Sequence, residues 1–112
     1  MGVDVELHAM MPARPRNWEL SRATLLAEIG DEEDILSDMI SSLDPEAYPV
    51  LGGVDPYGDT FLDADGALAA LAEIGRLKVS RPALPTPVID GLERILQHCV
   101  QRPGAVVEFI GD

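Results

Sequence analysis

Period-two alternation at the N-terminus, a second strand at the C-terminus, helical periodicity between them and a proline-glycine turn at the middle predict an α/β (α+β) fold. The expected architecture is a small sheet that includes the N- and C-terminal strands, covered by three to four helices, in a single α/β domain over residues 1–112. The first strand rests on Val3, Val5 and Leu7 alternating with Asp4, Glu6 and His8. That alternation places His8 on the exposed or half-covered side. Pro12 ends the strand, because proline cannot donate to a ladder. Residues 13–17 form a basic, proline-containing loop. Asn17 then caps a helical segment marked by Leu25, Leu26 and Ile29 and stopped by Gly30.

The next helix carries Asp31 at its N-cap and Glu32, Glu33 and Asp34 in its first turn, where carboxylates meet the positive end of the helix dipole. Ile35, Leu36, Met39, Ile40 and Leu43 form its apolar face, and Asp44-Pro45 ends it. Residues 47–54 are a short strand or an extended approach to the central stretch Val54-Asp55-Pro56-Tyr57-Gly58-Asp59-Thr60. Asp-Pro opens a turn there, and Gly58 is expected to supply a positive φ. Asp63 or Asp65 caps a third helix running to about Leu77, with Leu68, Leu71, Ile74 and Leu77 on its buried side. Thr86-Pro87 starts a fourth, N-cap then proline. Its stripe of Ile89, Leu92, Ile95, Leu96 and Cys99 is the cleanest in the chain. Pro103-Gly104 breaks it, and residues 105–110 make the closing strand.

The chain has 112 residues, 46% of them apolar, enough to bury a core without disulfides or metal. No apolar run reaches the roughly 20 residues of a membrane span. The acidic N-terminus does not read as a signal peptide, and Gly2 lacks the hydroxyl residue of a myristoylation site. With one cysteine, Cys99, no internal disulfide can form, and a cytoplasmic location is expected.

The net charge is −12, and it is concentrated. Between Glu19 and Glu73 there are fourteen acids and one base, Arg22, whereas residues 74–112 hold four acids and five bases. This argues against nucleic acid as a partner and for solubility or a basic partner drawn in by the field.

No catalytic signature is present: no phosphate loop, nucleophile elbow, Cys-x-x-Cys or His-Glu-x-x-His. His98 and Cys99 are adjacent on a helix and point in different directions, so they are not a dyad, and Cys99 is expected to be a core thiol. No enzymatic activity, cofactor or metal ligand is expected. Asp55, Asp59, Asp63 and Asp65 gather oxygen donors, and Asp63-x-Asp65-Gly66 looks like part of a calcium loop. In that register, however, Phe61 and Ala72 occupy the first and last ligand positions. The simpler expectation is that these aspartates make turns and cap the helix. The acidic helix offers Glu32, Glu33, Asp34 and Asp38 as a surface for a basic protein, with Asp55, Tyr57 and Asp59 as a second patch.

With Asp55-Pro56-Tyr57-Gly58-Asp59-Thr60 and the closing Phe109-Ile110-Gly111-Asp112 both in view, the chain resembles a small bacterial family. Its members begin with a strand like Met1-Gly2-Val3-Asp4-Val5 and end on Phe-Ile-Gly-Asp. The resemblance covers the two ends and the middle of the chain and implies no particular reaction. In size and acidity such proteins are similar to immunity proteins of bacterial polymorphic-toxin systems. The resemblance implies an acidic immunity-like protein that inhibits a protein partner, a basic toxin domain being the natural choice; hydropathy and charge argue against membrane and nucleic acid as partners. The rival expectation is a small-ligand or divalent-metal-binding protein, or a weak enzyme, using Asp55, Asp59, Asp63 and Asp112. Convergence of those carboxylates in a concave site distinguishes the two.

Overall fold

A computed structural model of the chain describes residues 2–11, 24–31 and 34–111. The elements run β1 (Val3–His8), β2 (Leu25–Ile29), α1 (Ile35–Ser41), a 3-10 turn (Leu51–Gly53), β3 (Asp59–Leu62), α2 (Ala64–Ser80), α3 (Thr86–Gln101) and β4 (Val106–Gly111). The four strands form one antiparallel sheet in the order β2-β1-β4-β3. The terminal strands neighbour each other, as expected, and are its two central members, and the α+β class holds.

Register sorts the side chains. Val5 pairs with Phe109 and with Ile29, and Leu7 pairs with Val107 and with Ala27. Val3, Val5, Leu7, Val107 and Phe109 thus share one face, and all are buried. The α3 stripe packs into the same core. Its five predicted residues, Ile89, Leu92, Ile95, Leu96 and Cys99, are all buried, and the Cys99 thiol reaches the Ala105 carbonyl at 3.4 Å. Burial pushes that thiol's pKa up, and the Asp63 charge adds to the rise, so Cys99 is the inert core thiol expected. Gly104, at φ 82, turns the chain from α3 into β4.

Several local expectations change. Leu25, Leu26 and Ile29 mark a strand, not a helix. Glu28 faces Glu6 and Ala27 faces Leu7, and a register shift falls where Leu7 gives way to His8. A neighbouring strand supplies partners that a helical turn would otherwise have to find within the segment. Asn17 lies outside the described residues. In α2, Leu68 is 58% exposed, whereas Ala67, Ala70, Ile74 and Leu77 are buried. The cause is geometric: a strict three-residue repeat drifts backward around a helix of 3.6 residues per turn, so Leu68 and Leu77 end on opposite sides. Asp63 caps α2, accepting from the Gly66 N–H at 2.9 Å, as expected. In α3, Thr86 and Pro87 each sit one position further into the helix than predicted, and Pro85 holds the cap.

The start of α1 also differs. Its N-cap is Asp34, in the left-handed region at φ 57, and the acid in its first turn is Asp38. Asp31 still does the capping from upstream. Its carboxylate accepts from Leu36 N at 2.8 Å and Ser37 N at 3.0 Å, and also from Val3 N at 2.8 Å on β1. Residues 47–54 are turns and the 3-10 turn rather than a strand. They are held by the buried Glu73 of α2, whose carboxylate accepts from Val50 N and Leu51 N, each at 2.9 Å. No helix among the described residues is long and apolar enough to cross a membrane.

Candidate functional site

The central stretch folds as a turn leading into the edge strand β3, which the sequence reading did not place. Asp55 accepts from Tyr57 N at 2.9 Å, and its own N–H donates to the Thr60 hydroxyl at 3.1 Å. Gly58 does not take the positive φ expected of it. Its small size matters instead, because a Cβ there would lie 2.7 Å from a carboxylate oxygen of Asp55. The Gly111 N–H donates to the Gly58 carbonyl at 2.8 Å, and a Cβ on Gly111 would overlap the Pro56 carbonyl. The central turn and the end of β4 are thus stitched to each other, and each glycine makes room for the other stretch or its own turn.

Asp38, Asp55 and Asp59 face solvent, Asp34 is half-buried, and the Tyr57 ring is 71% exposed. Glu32, Glu33 and Asp112 lie outside the described residues. A shallow cleft separates α1 from the central turn. Its floor and walls include Ile40, Leu43, Val54 and Pro56. The helix and the central turn therefore border one depression, although none of the predicted patch residues lines it. Among the described residues, Asp55, Asp59, Asp63 and Asp65 form no convergent ligand group, being occupied as turn, strand and cap residues.

A different cluster does converge. On the second face of the sheet, Glu6 pairs with Glu28 on one side and Glu108 on the other, and His8 pairs with Val106. The His8 Nε2 lies 2.8 Å from Glu6 Oε1 and 3.7 Å from Glu108 Oε1. Its Nδ1 lies 2.7 Å from the Thr24 hydroxyl. His8 is fully buried, which corrects the expectation that it is exposed or half-covered, and Glu108 is 2% exposed. One ligand atom from each of Glu6, His8 and Glu108 lies within 4.8 Å of the others. The sequence holds half of the signal: Glu6 and His8 are two apart on one strand and so share a face. Glu108 sits 100 residues away in sequence and joins them only through the pairing of β1 with β4. Compared with known proteins, the chain matches no family model, no curated protein and no solved structure.

Proposed function

We propose that this chain is an acidic binding protein of the immunity type, which blocks a basic protein partner by seating it on the α1 and central-turn surface. The observation that carries the reading is the largely apolar cleft between α1 and the central turn, two stretches that also carry the exposed Asp38, Asp55 and Asp59. Apolar side chains in the cleft supply the area, and the exposed carboxylates of the same two stretches supply attraction and orientation. The exposed Tyr57 ring is the natural anchor, since aromatic residues dominate interface energetics. The net charge of −12 speeds encounter with a basic partner and disfavours nucleic acid. The resemblance to immunity proteins points to a bacterial toxin domain as that partner and to the cytoplasm as the place of action.

The test recovers a partner by pull-down from the native host and measures association by stopped flow at several salt concentrations. Association should slow as salt rises, while dissociation changes less. Asp38→Lys with Asp59→Lys should slow association by about tenfold or more at low salt, and Tyr57→Ala should speed dissociation. An association rate indifferent to both salt and charge reversal would leave the acidic surface as a solvated one and sink the reading.

A further inference from the structure

We propose that the cleft between α3 and the edge strand β2 binds a small amphipathic carboxylate, with the apolar body on the cleft floor and the head held by Arg94 and Arg102. The cleft has a volume of about 420 Å³, within the range of small-molecule sites. It shares no lining residue with the depression beside α1, so it stands apart from the acidic docking surface. Leu7, Ile29 and Ile95 supply apolar side chains, and Arg94, His98 and Arg102 line the same space. At Gly91 an added Cβ would lie 3.2 Å from Ile29 Cδ1, so that glycine sets how closely helix and strand approach.

The basic side chains of this chain divide into two groups. Five lysines and arginines lie among the described residues. Three have structural partners: Arg76 lies over the Tyr48 ring at 4.9 Å, Lys78 is 2.8 Å from Glu93, and Arg81 donates to the Ser42 hydroxyl at 2.6 Å. The other two, Arg94 and Arg102, are exposed and form no side-chain hydrogen bond or ion pair among the described residues. Both line this one cleft. Arg94 and His98 stand one turn apart on α3 and share a face, and Arg102 follows as its C-cap. Glu28 also lines the cleft, but strand alternation turns its side chain, like that of its partner Glu6, toward the second face of the sheet. Ligand class follows from the charges. A guanidinium fork matches a planar carboxylate in bidentate fashion. The helix end here is a C-terminus, whose partial charge of about half a negative unit opposes an anion; two full side-chain charges outweigh it, but it is not the N-terminus that phosphate sites favour. The field of a chain with net charge −12 repels a dianion about twice as strongly as a monoanion, so a single carboxylate is the anion least opposed. Burial of an apolar body adds the affinity that exposed, screened charges do not supply.

The experiment titrates the full chain with octanoate and follows backbone amide resonances by NMR. Octanoate should bind saturably, shifting Ile29, Gly91 and His98 and leaving Leu43 and Val54 of the other depression unmoved. Acetate, the head alone, and 1-octanol, the body alone, should each bind at least about tenfold more weakly. Inorganic phosphate should not displace octanoate. Arg94→Gln and Arg102→Gln should each weaken octanoate by about tenfold, and Arg94→Lys should bind between Arg94→Gln and the parent. Arg76→Gln, which removes the same charge outside the cleft, should bind as the parent does. Arg76, Arg94 and Arg102 are all exposed, and circular dichroism checks that the variants fold. No saturable octanoate binding, 1-octanol binding as tightly as octanoate, displacement by phosphate, equal weakening in Arg76→Gln and Arg94→Gln, or shifts confined to the depression beside α1 would each overturn the proposal.

Discussion

At Asp31 a single carboxylate accepts from backbone N–H groups of β1 and α1 at once. Burial by itself raises its pKa, but the hydrogen bonds from Val3, Leu36 and Ser37 outweigh that and hold the carboxyl below its ordinary value of 3.8. A carboxyl depressed in the folded state contributes stability that is present in full above its unfolded pKa and is lost as pH falls through the folded one. Asp31→Asn should therefore destabilise by about 1–2 kcal/mol at neutral pH, the range of a lost charged cap. The difference from the parent should shrink steadily below roughly pH 4. Urea denaturation of both proteins at pH 7 and at pH 3 checks the sign: a gap that widens in acid would contradict the assignment. Glu73 plays a comparable role, joining α2 to the 3-10 turn through Val50 N and Leu51 N, and neither residue is available for partner binding.

Among the elements, α2 and α3 offer a direct comparison. Both carry leucines at spacings that look buried in sequence. Leu92 of α3 is fully buried, and Leu92→Ala should cost about 2–5 kcal/mol through lost transfer energy and the cavity left behind. Leu68 of α2 faces solvent, and Leu68→Glu should change stability by less than about 0.5 kcal/mol. Chemical denaturation midpoints of the two variants decide the matter, and a large loss in Leu68→Glu would mean that this face of α2 is covered. The helices are also linked by Lys78, whose ammonium lies 2.8 Å from Glu93. Glu93 beside it, more than its slight burial, sets the direction in which the Lys78 pKa moves, which is up. The pair is exposed and screened, and contributes little beside the apolar contacts.

For the whole molecule, the charge distribution is the dominant electrostatic fact. A net charge of −12 on 112 residues repels itself in the folded state more than in an expanded one. Raising NaCl from about 10 to 150 mM shortens the screening length from roughly 30 to 8 Å and should raise the thermal midpoint. Calorimetric scans across that range should show a monotonic rise. The same salt series should slow encounter with a basic partner, so stability and association move in opposite directions.

What the sequence determined by itself was whatever depends on near neighbours. Period two in Val3, Val5 and Leu7 marked β1, and the five-residue stripe of α3 matched its buried face without exception. Asp63 as a cap and the break at Gly104 follow from local backbone chemistry and were equally legible. Tertiary structure decided the rest, where partners come from far along the chain. Leu25 to Ile29 is a strand because β1 lies beside it, and Asp31 caps α1 from a distance while also holding Val3. The acidic helix and the central turn share one cleft only because α1 and that turn border the same depression. His8 is buried beside Glu108 because β1 and β4 pair antiparallel in one register. Shifting that pairing by one residue would send Glu108 to the opposite face and dissolve the cluster.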